Sequence, residues 1–299
     1  MKIISLGEIL WDVFEHGELL GGAPFNFAAH IHRLRHNVLF VSAVGEDDRG
    51  SAALEKMREL GLSTRFVQRT PDAPTGIVPV NLDSTGQPRF VIQRPAAYDL
   101  LSLTEREIAA LSSPEAEWIC FGTLHQCSAN ARQALAALLE ANPHARRFYD
   151  VNLRPESYDK ALVDTLLKES TVVKLNDEEA KTLEEIFGED SVGIEEFSRS
   201  HAKRYGWEAV CVTRGARGCA ILVGEEYVEV AGYPVTVIDT VGSGDAFSAA
   251  FLHGLANNWP PAEIGDFANR LGALVAGRRG AIPPWTIEEA MALSRQGAD

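Results

Sequence analysis

The sequence predicts an α/β fold with a doubly wound, mostly parallel sheet, helices on both faces, and a small β-sheet lid. Short strand-like runs alternate with helix-like stretches over most of the 299 residues. Such alternation produces right-handed βαβ units, and it buries a parallel sheet between two helical layers. Residues 75–94 alone break the rhythm, since they hold two strand-like runs with no helix between them.

Six segments read as strands, and several are almost continuously apolar, as strands buried on both faces are. They are residues 2–7, 37–45, 117–124, 146–154, 171–176 and 208–215. The stretches between them place apolar residues at i, i+3 and i+4, the period of a helix. The predicted helices are 25–34, 51–61, 131–141, 160–170 and 194–206.

Residues 75–94 predict a β-hairpin, because a turn-like segment, Asp83–Gly86, separates the two strand-like runs. With the polar, glycine-containing segment 12–22, this hairpin predicts a small sheet that covers a site. We expect the lid to take residues 12–27 and 75–100. Lid included, we expect a single domain over residues 1–299.

Composition narrows the class of protein. The chain is 45% hydrophobic and 23% charged, as globular proteins are, and no apolar run approaches the ~20 residues of a membrane helix. The first residues read as a strand and not as a signal peptide, so we expect a cytoplasmic protein. Four cysteines without a C-x-x-C pair predict neither zinc nor disulfides.

The formal net charge is −14, and no Lys/Arg block is present. This argues against nucleic acid and against anionic membranes as partners. An anionic ligand would therefore need a locally positive site, or one built from backbone N–H groups and metal.

Ligands of open parallel sheets bind beyond the carboxyl ends of the strands. Polar and glycine residues follow the predicted strands at these positions: Glu8, Asp12, 21–26, Asn152, Arg154, Asn176, Glu179, 213–218 and 239–245.

The segment DTVGSGD, residues 239–245, leads into an apolar helical stretch. Its glycines can simply supply positive φ in a tight turn, with Asp245 as a first-turn or N-cap carboxylate. Alternatively, successive N–H groups of residues 242–245 form an anion hole for a phosphoryl group. The segment is neither a Walker A loop, which needs a lysine, nor a Rossmann fingerprint.

The other motifs carry the same two interpretations. Residues 21–26 are a turn before a helix with proline near its start, or a backbone approach to a polar ligand. Asn176 and Glu179 are a capping box, or ligands of water-coordinated Mg²⁺. Residues 213–218 are a glycine-bearing hairpin in the simplest interpretation.

Taken in order, these motifs resemble the ribokinase, or phosphofructokinase-B, family of carbohydrate kinases. The resemblance rests on G-G-A-P-x-N at 21–26, V-G-E-D-x-x-G at 44–50 and D-T-x-G-x-G-D at 239–245. N-x-x-E, T-x-G-x-x-G and A-x-x-x-x-G-A, the last at 276–281, fall where that family places them. The resemblance covers residues 1 to about 285.

The resemblance implies a ribokinase-like fold, an ATP donor, Mg²⁺, and transfer of the γ-phosphoryl group to a sugar hydroxyl. It implies that Asp245 is the catalytic base and that Gly242, Ser243 and Gly244 form the anion hole. Sugar contacts would be Asp12, Gly22 and Asn26. The nucleotide and Mg²⁺ side would take Asn176, Glu179 (through water), Thr213, Gly215, Gly218 and Asn269. A monovalent cation such as K⁺ would lie near Asp239, Val241 and Gly280.

Within that family, GGAPFNFA, the run 94–99 and DVNLRP at 150–155 look most like the fructokinase branch. Asn152 and Arg154 would contact sugar or phosphate. A related branch phosphorylates 2-keto-3-deoxygluconate, and there Arg154 would pair with the sugar-acid carboxylate. Ribokinase-type activity is a further alternative.

Two expectations concern the class of protein and its assembly. A non-catalytic sugar- or nucleotide-binding regulator on the same scaffold is the alternative from another class. The exposed edge of the lid predicts a homodimer that pairs through it.

Overall fold

The computed structural model describes residues 1–15, 17–82, 88–90 and 92–295. Its strands are β1 (Lys2–Leu6), β2 (Leu10–Phe14), β3 (Gly17–Gly21), β4 (Asn37–Gly45), β5 (Val67–Thr70), β6 (Gly76–Leu82), β7 (Pro88–Phe90), β8 (Trp118–Gly122), β9 (Arg146–Asp150), β10 (Val172–Asn176), β11 (Ala209–Thr213), β12 (Cys219–Val223) and β13 (Glu226–Val230).

The helices are α1 (Ala23–Arg33), α2 (Asp48–Glu59), α3 (Glu105–Leu111), α4 (Thr123–Gln126), α5 (Ala129–Ala141), α6 (Lys160–Glu169), α7 (Asp177–Phe187), α8 (Ile194–Tyr205), α9 (Ser243–Ala256), α10 (Pro261–Ala276) and α11 (Ile287–Ala292). Two short 3₁₀ turns lie at Ala97–Leu100 and Gly215–Arg217. None of the described helices has the length and apolar character of a membrane span.

The chain divides into two compact units. The first unit takes Met1–Phe121 and His125–Ala145, and the second takes Gly122–Leu124 and Arg146–Asp299. The single domain expected over residues 1–299 stays a prediction.

The main sheet of the first unit has the strand order β5-β4-β1-β8, and its pairs are parallel. Every residue of β1 is buried, and Ile3, Ile4 and Leu6 have no exposed surface. Helices α1 and α2 pack against β4. The apolar run at residues 2–7 is therefore a strand in the interior of a parallel sheet, as predicted.

A second, small sheet in the first unit has the order β3-β2-β6-β7. Strand β2 pairs antiparallel with β3 and parallel with β6, and β6 and β7 form the predicted antiparallel hairpin. The hairpin turn predicted at Asp83–Gly86 lies outside the described residues. Within the segment 12–27 expected for the lid, residues from Ala23 onward belong to helix α1, with Gly22 as its N-cap residue and Pro24 near its start. The lid bounds stay a prediction.

The sheet of the second unit has the order β9-β10-β11-β12-β13. Its first three strands are parallel, and β11, β12 and β13 continue as antiparallel hairpins. Helices α7 and α8 pack against β11, and α10 packs against β12 and β13. The α/β fold with a mostly parallel sheet, flanking helices and a small separate sheet is confirmed.

Several predicted strands were too long at their carboxyl ends. The run 146–154 is extended only to Asp150, because Asn152 takes a positive φ of 39°. The run 117–124 gives way to helix α4 after Gly122. After β9, the extra residues form the loop that carries Asn152 and Arg154, two of the predicted site residues.

Candidate active site

Asp12 and Asn26, two of the predicted sugar contacts, lie together at Gly21 in the first unit. A Cβ built on Gly21 would be 3.0 Å from Asp12 Oδ2 and 4.0 Å from Asn26 Oδ1. Any side chain at position 21 would fill the space beside this carboxylate and this amide. The absence of a side chain leaves this space free, and the two groups carry the acceptors and the donor that sugar hydroxyls can bind.

The start of α1 fixes the position of Asn26. Gly22 is the N-cap residue with φ 111°, and a Cβ there would lie 2.5 Å from the carbonyl oxygen of Glu8. The Asn26 N–H donates to the Gly22 carbonyl at 2.8 Å, and the Asn26 side chain is 3% exposed. Gly22 is thus required by its backbone, which is the simpler of the two interpretations of the motif.

The glycine turn before α9 is the second candidate subsite. Gly242 is the N-cap residue with φ 79°, and a Cβ on it would lie 2.4 Å from the carbonyl oxygen of Ala281. Asp245 lies in the first turn of α9 and is therefore not the N-cap residue. The Ser243 N–H lies 3.3 Å from the Thr240 carbonyl oxygen. At the start of a helix, the backbone N–H groups and the positive end of the helix dipole favour an anion.

Asp239 ties this turn to a second one. Its Oδ1 accepts a hydrogen bond from the Val241 N–H, and its Oδ2 accepts one from the Gly280 N–H, both at 3.0 Å. The structure thus brings together the residues predicted for a monovalent cation, but here the carboxylate binds two backbone amides. The cation stays a prediction.

Asn176 and Glu179 form the capping box at the start of α7. Asn176 Oδ1 accepts from the Glu179 N–H at 2.7 Å, and Glu179 Oε2 accepts from the Asn176 N–H at 2.8 Å. The other carboxylate oxygen of Glu179 accepts from the Leu153 N–H at 2.9 Å. Burial raises the pKa of Glu179, although the nearby Lys174 ammonium offsets part of this effect.

This arrangement bears on Mg²⁺. Within the described ranges, no three His, Cys, Asp or Glu side chains form a group that could hold a metal ion. A single carboxylate, that of Glu179, suits Mg²⁺ that is otherwise held by water and phosphate oxygens. It does not suit a site built from protein ligands alone. Glu179 fits the role predicted for it, with contact through water, because its oxygens already bind backbone amides.

The loop after β9 carries Asn152 and Arg154. Asn152 is half-buried and adopts a positive φ, which asparagine tolerates better than most residues. Arg154 is exposed, and its guanidinium group lies 3.4 Å from the carbonyl oxygen of Leu153. Contact of Arg154 with sugar or phosphate stays a prediction.

On the predicted nucleotide side, residues 213–218 join β11 and β12 as the expected hairpin. Gly215 and Gly218 have positive φ, and a Cβ on Gly218 would lie 2.0 Å from the carbonyl oxygen of Val230. The Thr213 hydroxyl lies 3.4 Å from the Leu175 carbonyl oxygen. The backbone conformation and the close approach at Gly218 explain why glycine occupies these positions. Nucleotide binding by this segment stays a prediction.

Asn269 is buried in α10. Its amide nitrogen donates to the carbonyl oxygens of Val230 and Ala231 at 3.2 and 3.3 Å. The same nitrogen lies 3.5 Å from the sulfur of Cys219. Asn269 therefore holds α10 to the end of β13, and an adenine contact would use its remaining amide oxygen.

No sequence motif predicted the buried ion pair beside the glycine turn. Lys174 Nζ lies 3.1 and 3.2 Å from the two carboxylate oxygens of Asp150. A lysine inside the otherwise apolar strand β10 was the available signal, because a buried ammonium group requires a partner.

Comparisons with known proteins bear on the family and the fold of the chain. Residues 7–288 match the model of the pfkB family of carbohydrate kinases. A fructokinase of Salmonella typhimurium is 30% identical over 94% of this chain and 95% of its own. A fructokinase of Xylella fastidiosa, solved with bound ATP, superposes with a TM-score of 0.84 at 24% identity over 97% of each chain.

A 2-dehydro-3-deoxygluconokinase of Thermotoga maritima also superposes with a TM-score of 0.84, at 19% identity over 97% of this chain and 98% of its own. The two superpositions show the fold, and the family match covers almost the whole chain. The chain belongs to the PfkB family of carbohydrate kinases, and it is a sugar phosphotransferase.

Proposed function

We propose that this carbohydrate kinase is a fructokinase that transfers the γ-phosphoryl group of ATP to a hydroxyl of fructose. The glycine turn at Gly242, with Asp245 in the first turn behind it, is the observation that supports phosphoryl transfer. The similarity to the Salmonella fructokinase over nearly the whole chain supports fructose. The ATP-bound state of the Xylella fructokinase supports ATP as the donor.

In the proposed reaction, Asp12, Gly22 and Asn26 bind the sugar, and Asp245 accepts the proton of the attacking hydroxyl. The N–H groups of Gly242, Ser243 and Gly244 stabilise the negative charge of the transferring phosphoryl group. Mg²⁺, when bound near Glu179, would supply further charge neutralisation on the phosphate oxygens. The nucleotide is bound by Thr213, Gly215, Gly218 and Asn269 in this proposal.

Arg154 favours a second candidate substrate, 2-keto-3-deoxygluconate. An exposed guanidinium group at the end of β9 suits a sugar-acid carboxylate, which arginine can bind with two parallel hydrogen bonds. Fructose has no carboxylate, so its uncharged oxygens would be the only acceptors for hydrogen bonds from this guanidinium group. Ribose is the third candidate, and a non-catalytic regulator remains the alternative from another class.

A coupled ADP-release assay over fructose, 2-keto-3-deoxygluconate, ribose, tagatose and adenosine tests the proposal. We expect the highest kcat/KM for fructose. A higher value for another sugar would replace fructose, and ATP and sugar binding without any ADP release would favour the regulator.

Variants at position 154 separate the two leading sugars. If the guanidinium group binds a carboxylate, Arg154→Gln lowers kcat/KM for 2-keto-3-deoxygluconate by about 10–10² fold, the loss of one or two charge-assisted hydrogen bonds. Activity on fructose should change much less. Arg154→Lys is the matched control, since it keeps the charge without the planar fork. An equal loss on both sugars would contradict a carboxylate-specific role.

The remaining proposals concern the setting of the reaction. We propose a cytoplasmic enzyme that pairs through the small sheet into a homodimer and that responds to K⁺ near Asp239. Sedimentation at assay concentration tests the dimer, and a monomer would exclude it. Replacing K⁺ with tetramethylammonium in the assay tests the cation, and unchanged kcat and KM would exclude it.

A further inference from the structure

We propose that Lys174 is a positioning residue for phosphoryl transfer, whose ammonium group, held by Asp150, supplies positive charge to the anion hole. The inference rests on the proposed kinase reaction, and it adds a residue that none of the sequence motifs contains. It is carried by the position, burial and bonding of Lys174 in the second unit.

The ammonium group lies directly beside the glycine turn. Lys174 is in β10 and is 8% exposed, and its Nζ would be 3.6 Å from a Cβ built on Gly244. Because Gly244 has no side chain, it places no atom between this ammonium group and the backbone of the turn. A positive charge at this distance lowers the energy of an anion bound by the N–H groups of the turn.

Asp150 fixes the ammonium group in place. Both of its carboxylate oxygens are within hydrogen-bond distance of Lys174 Nζ. One of them also accepts a hydrogen bond from the Ser248 hydroxyl at 2.7 Å, and that hydroxyl lies 2.9 Å from the Gly244 carbonyl oxygen. Ser248 is fully buried on α9, so Asp150 is bonded to the same helix whose first turn carries Asp245.

Lys174 has more than one carboxylate near it, unlike a lysine in a simple ion pair. The carboxylates of Glu179 and Asp245 act on this ammonium group in addition to that of Asp150, which binds it directly. Without its ammonium group, an incoming phosphoryl group would meet three carboxylates with no lysine to oppose them, which is unfavourable at short range and low dielectric.

A purely structural ion pair is the competing explanation. A buried ion pair can often be replaced by neutral side chains of similar shape without loss of stability, whereas removal of one partner alone is strongly destabilising. The double substitution Lys174→Met with Asp150→Asn removes the ammonium group together with the carboxylate that binds it directly. It therefore separates stability from an effect on the phosphoryl group.

The experiment compares the full-length protein with four variants: Lys174→Met, Lys174→Met with Asp150→Asn, Lys174→Arg, and Lys2→Met. Lys2 is a matched control, since it is also 8% exposed and donates to the carbonyl oxygens of Leu111 and Pro114. For each variant we would measure Tm, kcat, KM for the sugar, and the Kd of ATP and of ADP.

We expect Lys174→Met to lower Tm, and the double variant to regain most of that loss. In the double variant kcat should remain about 10²-fold below wild type, the cost of losing one group that stabilises an oxyanion. KM for the sugar should change little, and Kd should rise more for ATP than for ADP. Lys2→Met should lower Tm and leave kcat of the folded protein unchanged.

A double variant that regains wild-type kcat together with Tm would overturn the inference. If that variant fails to fold, Lys174→Arg decides: a retained positive charge should hold kcat within about tenfold of wild type, and a loss as large as that of Lys174→Met would assign the residue to packing. If the wild type phosphorylates no sugar, the kinase proposal fails. The Kd values for ATP and ADP then still decide the role of Lys174.

Discussion

Gly242 shows how a single residue can be fixed by its backbone. Its φ of 79° disfavours any side chain, and a Cβ would overlap the Ala281 carbonyl oxygen. Gly188, the C-cap residue of α7, has a similar φ of 71° but no atom within 4 Å of its Cβ position. The two glycines therefore separate the cost of the backbone conformation from the cost of a steric overlap.

We expect Gly188→Ala to lower the free energy of unfolding by about 1–2 kcal/mol, the price of a left-handed conformation. Gly242→Ala should cost more and should also lower kcat, because relief of the overlap moves the N–H groups of the turn. Urea unfolding and the ADP-release assay measure the two effects. Equal losses of stability, with unchanged kcat in Gly242→Ala, would contradict a fixed turn at this position.

At the scale of elements, the start of α2 explains the motif V-G-E-D-x-x-G. Asp47 is the N-cap residue, and its carboxylate accepts hydrogen bonds from the Gly50 N–H at 2.7 Å and the Thr75 N–H at 2.8 Å. The Thr75 hydroxyl donates to the same carboxylate at 2.6 Å. A Cβ on Gly50 would lie 2.2 Å from the Gly45 carbonyl oxygen. The motif therefore joins β4, α2 and the start of β6.

Asp47→Ala should lower the free energy of unfolding by about 2 kcal/mol, the upper range for loss of an N-cap. Asp48→Ala, next to it in the first turn and exposed, should cost less. Burial tends to raise the pKa of Asp47, but hydrogen bonds from Thr75 and Gly50 outweigh it and the pKa is lowered. The stabilisation is thus present above the ordinary pKa of about 4 and is lost as pH falls through the lower folded value.

Urea unfolding of wild type and Asp47→Asn between pH 7 and pH 3 measures this dependence. The gap between the two should be largest at pH 7 and should narrow at the acid end. A gap that does not change with pH would show that the carboxylate charge contributes nothing at this cap.

The sequence anticipated the elements that follow a strong local pattern. The run 37–45 is β4 with the same bounds, and Asn176 caps α7 as its spacing with Glu179 predicted. The pair of Lys174 and Asp150 was missed, because its two members are 24 positions apart and meet only when β9 and β10 align. Likewise, nothing local to Asp239 predicts that its carboxylate binds the Gly280 amide.

At the scale of the whole molecule, a formal net charge of −14 has to be reconciled with an anionic donor such as ATP. The sequence predicted that such a site would be locally positive, or built from backbone N–H groups and metal. The turn at Gly242 provides the N–H groups, and Lys174 provides a positive charge beside them. The division into two compact units was not predicted, since no composition shift or linker marks it in the sequence.

Buried histidines should make the whole molecule sensitive to acid. His125 has no exposed surface, its Nε2 donates to the Tyr98 carbonyl oxygen at 2.9 Å, and burial lowers its pKa to about 4. In the unfolded chain the same group titrates near its ordinary value of about 6.5. Stability is therefore fully present above pH 6.5 and is lost as pH falls toward 4, by an amount on the order of 3 kcal/mol.

Burial also lowers the pKa of His201 and of His253, so these residues act in the same direction. His125→Gln removes one titrating group. Between pH 6.5 and pH 4 it should reduce the slope of the unfolding free energy against pH by an amount equal to the uptake of at most one proton on unfolding. A slope identical to that of wild type would show that His125 binds protons equally in the folded and the unfolded protein.

The central claim is that Asp245 accepts the proton of a sugar hydroxyl during transfer of a phosphoryl group from ATP. Its most direct test is sugar-dependent ADP release by wild type and by Asp245→Asn, with Kd for ATP and for fructose measured on both. We expect both Kd values to stay near wild type while kcat falls by about 10²–10⁴ fold, the contribution of a general base. A kcat of Asp245→Asn close to that of wild type would contradict the account.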